Sequence, residues 1–335
     1  MESERVALTE HGTASLAIAS TLVPRLKSRC QRQTTSIVSS RMNPAPQKLS
    51  EAIANVKWKA KKRLRSIFSR NPDSLAQGFQ KALGLVSVKT NRFDWPKVCL
   101  KIDFGDMMYE GDPTAYFLSG YSALSCIRKA LEIAGKNSVS SILDFGCGHG
   151  RVLRTLAANF PEAKLTAVDS NKGGVDFCAK EFKAKPVYSN FPFSNLAFDR
   201  EFDLIWVGSV FTHLSRARWP KLLTLLRSVL ADNGLLLFST HGRDAERRLR
   251  APGALLLFNL EPERIAKILE EYYRDGFGYS DYRRYPGYGV SLSSSEWVTL
   301  QLNSVGLEPI LNQETGWDDF QDVWAAAKRS KSSVL

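Results

Sequence analysis

Cysteine and histidine, which are abundant in disulfide-rich and zinc-binding proteins, are scarce in this sequence. Its 335 residues include only five cysteines, with no Cys-x-x-Cys pair, and only four histidines. This pattern argues against a disulfide framework and a structural zinc site, and it is typical of a reducing compartment. No apolar run approaches the 18 residues of a membrane span. The sequence therefore predicts a globular cytoplasmic protein without a structural metal.

Acidic residues are scarce in the first part of the chain. Residues 1–90 contain 16 Lys/Arg and 5 Asp/Glu, whereas the rest of the chain contains 30 and 29. The formal net charge of +12 is therefore a property of the N-terminal leader. The remainder is close to neutral, which argues against a nucleic-acid groove in the folded domain itself.

The basic leader divides into two parts. Residues 1–47 are rich in Ser and Thr and lack sustained periodicity, which predicts disorder. Residues 48–108 are predicted to be a basic helical extension, with an amphipathic segment at 50–70. Such a segment can contact an anionic membrane surface, pack on its own domain, or act as an RNA-binding tail. The sequence leaves these alternatives open.

A glycine-rich turn is the most informative motif of the sequence. An apolar run ends at Asp144, three glycines follow at alternate positions, and a helix-compatible segment comes next. The glycines are Gly146, Gly148 and Gly150. They allow positive φ and close approach of the backbone to a nucleotide-like ligand at a helix N-terminus. The dinucleotide fingerprint G-x-G-x-x-G fails here, because Arg151 stands where the third glycine belongs.

The motif D-x-G-x-G-x-G resembles motif I of the class I S-adenosylmethionine (SAM)-dependent methyltransferases. The resemblance covers roughly residues 115–328, within a predicted domain at 109–330. Later landmarks follow in the family's order: Asp169 ends a second strand, Asn190 follows a third, and Ser209 follows a fourth. The resemblance implies a Rossmann-like α/β fold. We expect a seven-stranded, mostly parallel sheet with its last strand antiparallel and helices on both faces.

The same resemblance implies SAM as cofactor and a set of residues that bind it. Asp169 stands 23 positions after Gly146, which suits a carboxylate that accepts hydrogen bonds from both ribose hydroxyls. Asn190 can meet the adenine amino group through its amide oxygen, and Phe191 can cover the ring. The full predicted set is Asp144, Phe145, Gly146, Cys147, Gly148, Gly150, Asp169, Ser170, Asn190, Phe191, Ser209 and Val210.

Methyl transfer needs alignment of the acceptor and often a base, since the cofactor carries most of the activation. The candidate bases are His213 after the fourth strand, His241 after the fifth, and Tyr121 in the first helix. His213 is equally interpreted as a loop-fixing residue, and Tyr121 as a packing residue. We find no cluster of metal ligands in the sequence.

An insertion at residues 243–290 departs from the minimal fold. Six of the chain's ten tyrosines lie between residues 272 and 288, interleaved with arginines. This stretch is predicted to form either a lid over the acceptor or a surface loop.

These features predict methyl transfer to an O or N atom of a small molecule, such as a sugar, a lipid-linked compound or a phosphate-bearing metabolite. The alternatives are a protein or RNA methyltransferase tethered by the leader, and a non-catalytic SAM-binding scaffold. The sequence leaves the oligomeric state open.

Overall fold

The computed structural model describes residues 70–329, apart from residues 91, 93–94, 191–192 and 194–195. The predicted leader, nearly all of the segment 50–70, and Phe191 lie outside the described residues. The described helices are α1 (Pro72–Thr90), α2 (Pro113–Ile133), α3 (Leu153–Asn159), α4 (Lys172–Phe182), α5 (Trp219–Ser228), α6 (Arg243–Arg250), α7 (Ala254–Phe258), α8 (Pro262–Asp275) and α9 (Ser295–Ser304), with a 3₁₀ turn at Phe211–His213. The described strands are β1 (Ser141–Phe145), β2 (Lys164–Asp169), β3 (Lys185–Tyr188), β4 (Phe202–Val207), β5 (Leu230–Thr240), β6 (Phe277–Tyr282), β7 (Tyr285–Ser293), β8 (Leu307–Trp317) and β9 (Gln321–Lys328). Within these residues no helix combines the length and the apolarity that crossing a membrane requires.

Seven of the described strands form one sheet in the order β3-β2-β1-β4-β5-β9-β8. The strands from β3 to β5 run parallel, whereas β9 is antiparallel to both of its neighbours. The strand order reverses between β1 and β4, so their carboxyl ends flank a crevice where open α/β sheets bind ligands. The predicted Rossmann-like sheet with a reversed last strand is confirmed.

Side chains of the sheet alternate between two hydrophobic clusters, one on each face. On β5, Leu235 and Leu237 join the cluster that contains α1 to α4, whereas Leu236 and Phe238 join the cluster of α5 and α9. Successive residues of a strand point to opposite faces, so helices cover both sides of the sheet. This burial explains why the sequences of β1 and β4 read as nearly continuous apolar runs.

The insertion between β5 and α9 has a hydrophobic cluster of its own, which includes Leu249, Phe258, Ile268 and Leu292. The tyrosine-rich stretch is not an irregular loop, because β6 and β7 pair there as an antiparallel hairpin. The tyrosines at positions 279, 282, 285 and 288 recur every third residue, and the two arginines between the strands form the turn. The sequence therefore lacks the apolar/polar alternation that would have predicted two strands.

Two boundaries are not marked by the local sequence. The helix after the glycine turn begins at Leu153, because residues 151 and 152 still belong to the turn. The fifth strand begins at Leu230. Leu230 pairs with Phe202, and a register shift follows before the regular pairing with β4 resumes. Irregular pairing of this kind leaves no clear periodicity in the sequence.

Arg154 on α3 is a buried arginine that joins the glycine turn to the segment preceding α2. Its guanidinium donates to the carbonyl oxygens of Gly150 and Cys99 at 3.1 and 2.7 Å. It also donates to the Tyr116 hydroxyl at 3.2 Å, and that hydroxyl donates to the Asp106 carboxylate at 2.6 Å. Because these groups are buried, they depend on Arg154 for hydrogen bonds that water cannot supply.

Replacement of Arg154 by Met should therefore destabilise the fold by about 3 kcal/mol, since several buried acceptors lose their donor. The measurement is urea unfolding of the full chain. Arg250→Met is the matched control, because the side chain of Arg250 is 61% exposed, and it should change stability by less than about 0.5 kcal/mol. Equal effects of the two substitutions would contradict a structural role for Arg154.

Candidate functional site

The glycine turn connects the carboxyl end of β1 to α3 through three residues with positive φ. Gly146, Gly148 and Gly150 have φ values of +87°, +50° and +75°, a region that favours glycine. The N–H groups of Gly146 and Cys147 donate to the Val168 carbonyl oxygen at 2.7 and 3.0 Å. A Cβ at Gly148 would meet no atom within 4 Å. The turn is thus attached to β2 and open to a ligand at its centre.

The other two glycines are required by their neighbours. A Cβ at Gly146 would lie 2.4 Å from the Val210 side chain, and one at Gly150 would lie 2.3 Å from Phe182. Val210 follows β4, so this close approach brings the loop after β4 against the turn. Phe145, which was predicted to contact the cofactor, is buried and packs edge-on against Phe193 at 5.8 Å.

Asp169 lies at the carboxyl end of β2 and binds the centre of the glycine turn. Its carboxylate accepts the Gly148 N–H and the Asn171 N–H, both at 2.8 Å. The Ser170 hydroxyl lies 3.5 Å from the same carboxylate, and its side chain is exposed. Asn190 is exposed two residues beyond the end of β3. The predicted ribose and adenine contacts therefore follow adjacent strands at one edge of the sheet.

Asp144 is a buried carboxyl with an oxygen that lacks a hydrogen bond. The residue is 2% exposed, and Oδ2 has no partner among the described residues. Burial, reinforced by the nearby charge of Asp169, raises the pKa of Asp144 to about 8. An orphaned carboxyl oxygen at the end of β1 fits a cationic ligand, because a positive charge would compensate the desolvation of the carboxylate.

The loop after β4 is held in a strained conformation by three polar side chains. Ser209 has φ +59°, which is uncommon for a non-glycine residue and is often found at functional sites. Its N–H donates to Ser239 Oγ at 2.7 Å, and Ser239 donates to Gln321 Oε1 at 2.7 Å. Gln321 Nε2 donates back to Ser209 Oγ at 3.0 Å. Sequence reasoning found Ser209 but not Ser239 and Gln321, which lie on β5 and β9.

Both candidate histidines are attached to β7. The Nδ1 atoms of His213 and His241 lie 2.6 and 3.1 Å from the carbonyl oxygens of Gly289 and Ser291. A carbonyl only accepts, so each Nδ1 carries the proton and each Nε2 keeps its lone pair. Burial lowers the pKa of His213 from its usual 6.5, and lowers that of His241 to about 3. Both imidazoles are therefore neutral at pH 7.

Tyr288 on β7 links the insertion to the crevice. Its ring stacks on His213 with 4.6 Å between centroids. Burial, reinforced by the charge of Asp169, raises the pKa of its phenol. The ring centroid of Tyr282 lies 5.6 Å from that of Tyr288 and 6.1 Å from that of His213. The tyrosine-rich stretch was the sequence signal for this side of the site, although the sequence did not single out Tyr288.

Tyr121 lies in the core rather than with the histidines. It is buried and packs against Trp95 and Phe79, and its hydroxyl reaches the Pro96 carbonyl oxygen at 3.5 Å. Burial raises its pKa to about 12. This environment gives Tyr121 a packing role rather than that of a base.

Cys147 is buried in the turn, and its Sγ lies 3.5 Å from the Gly148 carbonyl oxygen. Burial and hydrogen bonding to Cys178 raise the pKa of this thiol, so the thiolate is disfavoured. The environment therefore gives the side chain a packing role and leaves the backbone of Cys147 as the part that belongs to the turn. Within the described ranges, no group of three or more His, Cys, Asp or Glu side chains could hold a metal ion.

These features suit a nucleoside that carries a positive charge: an open glycine turn, a carboxylate at the end of β2, and a carboxyl near the end of β1 with one oxygen that lacks a hydrogen bond. A family model described as a methyltransferase domain matches residues 120–308, more than half of the chain. The chain belongs to this family. It is a class I SAM-dependent methyltransferase, and its cofactor is SAM.

Curated relatives match a shorter stretch. The malonyl-[acyl-carrier protein] O-methyltransferase of Halalkalibacterium halodurans is 34% identical over 115 residues, which are 32% of this chain and 42% of that protein. The enzyme of the same name from Priestia megaterium is 29% identical over 125 residues, with coverage of 34% and 42%. The chain thus spans less than half the length of these relatives.

Among solved structures, a SAM-dependent methyltransferase from Clostridium acetobutylicum is similar over 74% of this chain and 98% of its own. The sequence identity is 15% and the TM-score is 0.45.

Asp169→Ala should weaken SAM binding about 10- to 100-fold, because hydrogen bonds to a charged acceptor contribute about 1.5–3 kcal/mol each. Asp169→Asn should fall between this variant and the wild type, since it keeps one acceptor. Calorimetric titration with SAM measures the effect. Asp232→Ala is the control, because that side chain is 93% exposed at the start of β5. Unchanged affinity in Asp169→Ala would remove the ribose assignment.

SAM binding at pH 7 should release close to one proton from Asp144. With a pKa of about 8 in the free protein, this carboxyl is mostly protonated, and a cationic ligand favours its ionised form. Affinity should therefore rise as the pH increases from 6 to 7.5. Calorimetry in two buffers with different ionisation enthalpies measures the released proton. Asp144→Asn should abolish the release, and the same release in that variant would contradict the assignment.

Proposed function

We propose that the protein transfers the methyl group of SAM to an oxygen or nitrogen atom of a small molecule, with His213 as the base. When bound, SAM supplies an activated methyl group on its sulfonium sulfur, and the acceptor atom takes this methyl group by in-line displacement of the sulfur. The chain's own contribution is to orient the acceptor and to remove its proton. The observation that carries the proposal is the Nδ1–H of His213 held by the Gly289 carbonyl oxygen.

His213 is the better base of the two histidines. It follows β4, four residues after Ser209, and it stacks on a half-exposed tyrosine. His241 is more deeply buried, and a pKa of about 3 makes it a weak acceptor of protons. We assign His241 the task of holding β7, because its backbone carbonyl also accepts the Ser293 N–H at 2.9 Å.

Oxygen is the favoured acceptor atom. The two curated relatives are O-methyltransferases by name, which supports this choice without identifying the acceptor. The near-neutral charge of the chain beyond residue 90 supports a small-molecule acceptor over a nucleic acid. We further propose a cytoplasmic location, in which the basic segment 50–70 contacts an anionic membrane surface or a partner.

The test of this function uses SAM with a deuterated methyl group, incubated with the protein and a fractionated cell extract. A small-molecule product that gains the labelled methyl group on oxygen or nitrogen, identified by mass spectrometry, would support the proposal. Label found only in protein or RNA would overturn it in favour of a macromolecular acceptor.

His213→Gln should lower kcat by about 10²- to 10⁴-fold, the usual contribution of a general base. SAM affinity should remain within about threefold. The pKa of His213 is lowered from 6.5, so the wild-type rate should stay flat near pH 7 and decline only below pH 6.5, as the imidazole becomes protonated. This acid limb should be absent from the variant. A variant that keeps the full rate, or the same acid limb, would exclude His213 as the base.

A further inference from the structure

The tip of the β6–β7 hairpin carries two arginines without a partner. Arg283 and Arg284 are exposed, and neither forms an ion pair, hydrogen bond or ring contact with the described residues. Tyr282 pairs with Tyr285 across the hairpin, so the two arginines are its central turn residues. A lone surface charge is usually only solvated, so the tip needs further observations before it can be interpreted as a site.

The turn chemistry gives no reason for arginine at these positions. Two-residue hairpin turns favour Asn-Gly, Asp-Gly or Gly, because the preferred turns need positive φ. Neither Arg283 nor Arg284 has a positive φ. The geometry of the turn therefore does not explain why both positions are arginine.

The hairpin is held in place, so its tip has a defined position. The Arg218 guanidinium donates to the Gly287 carbonyl oxygen, and the Gly287 N–H donates to the Asp281 carboxylate at 3.0 Å. Arg264 donates to the Asp281 carbonyl oxygen at 2.7 Å. Asp281 also accepts from the Tyr279 hydroxyl at 2.6 Å. The Asp281 carboxylate is thus used within the hairpin, and it forms no ion pair with either arginine.

The tip is on the same strand as the groups that contact the base. Tyr288 stacks on His213 at 4.6 Å, and the Gly289 carbonyl oxygen holds the His213 ring. Tyr282 directly precedes Arg283, and its ring centroid lies 5.6 Å from that of Tyr288 and 6.1 Å from that of His213. The tip is therefore next to the residues that surround His213. Tyr285 and Tyr288, which are 64% and 48% exposed, offer flat surfaces on the same hairpin.

We propose that Arg283 and Arg284 bind a phosphate or diphosphate group of the acceptor at the tip of the hairpin that contacts His213. This inference rests on the proposed function, since it assigns the substrate class of the same site. Guanidinium groups bind phosphate oxygens in a bidentate manner. The exposed rings of Tyr285 and Tyr288 cover the intervening part of the acceptor, such as a sugar or another ring. A free amine or a neutral sugar lacks the group that the arginines recognise.

The first experiment measures binding of inorganic pyrophosphate to the full chain by calorimetry, in the presence of S-adenosylhomocysteine. Arg283→Gln/Arg284→Gln should weaken this binding on the order of tenfold, because two charge-assisted contacts are lost. Arg247→Gln/Arg250→Gln is the matched control, since it removes the same charge from side chains that are 70% and 61% exposed on α6. The control should bind pyrophosphate within about twofold of the wild type. The basic leader is present in all three proteins and contributes equally.

Equal pyrophosphate affinities in the wild type and the Arg283/Arg284 variant would overturn the proposal. So would identification of an acceptor without a phosphate group. The pyrophosphate titration needs no turnover, so its failure can be told apart from failure of the labelled-methyl experiment. Once the acceptor is identified, the double variant should raise KM about tenfold with kcat within about twofold, the pattern of lost uniform binding. A fall in kcat at unchanged KM would likewise count against the proposal.

Discussion

The close approach of the glycine turn to β2 and to the loop after β4 is the constraint on which the rest of the site depends. Two turn amides share the Val168 carbonyl oxygen, a third is bound by Asp169, and the missing Cβ of Gly146 leaves room for Val210. These contacts bring the carboxyl ends of three strands to one crevice. They also leave Asp144 buried with one oxygen that lacks a hydrogen bond. Folding has therefore already removed this carboxyl from water, and a bound cation would compensate that desolvation.

The insertion completes the site from the opposite side. Its strand β7 contacts the main domain through His213, His241 and the Ser291 hydroxyl, which donates to the Phe211 carbonyl oxygen at 2.8 Å. The tautomer of each histidine is therefore set by an element outside the sheet that positions the cofactor. Cofactor binding and acceptor chemistry are thus assigned to separate parts of the chain, which meet at the end of β4.

Sequence reasoning could propose residues for the cofactor side of the site, because they belong to one local pattern. Asp144, the glycines and Asp169 lie within 26 consecutive residues, and their spacing reflects the geometry of a strand, a turn and a helix. The mostly parallel sheet with a reversed last strand followed from the family resemblance. Tyr121 was harder to assign, since an apolar helix face does not reveal whether a tyrosine points to the core or to a ligand.

The contacts that hold the loop after β4 escaped sequence reasoning because their residues are brought together over long separations. Gln321 lies 112 positions from Ser209, and no local periodicity records such a contact. The hairpin was missed because its tyrosines recur every three residues rather than every two. Arg154 was missed because a lone arginine in an amphipathic segment looks like a solvated charge, yet it is 1% exposed.

The two histidine rings bind main-chain carbonyl oxygens of β7, so these hydrogen bonds do not depend on the side chains of the hairpin. Glycine is required at two positions of the strand: a Cβ at Gly289 would lie 2.0 Å from the Ser280 carbonyl oxygen, and Gly287 has φ +78°. Outward-facing residues of the hairpin can therefore be exchanged during evolution without altering the protonation of either imidazole. Enzymes with one conserved base could in this way diversify their acceptors, and a designer could graft a new hairpin surface onto the same catalytic frame.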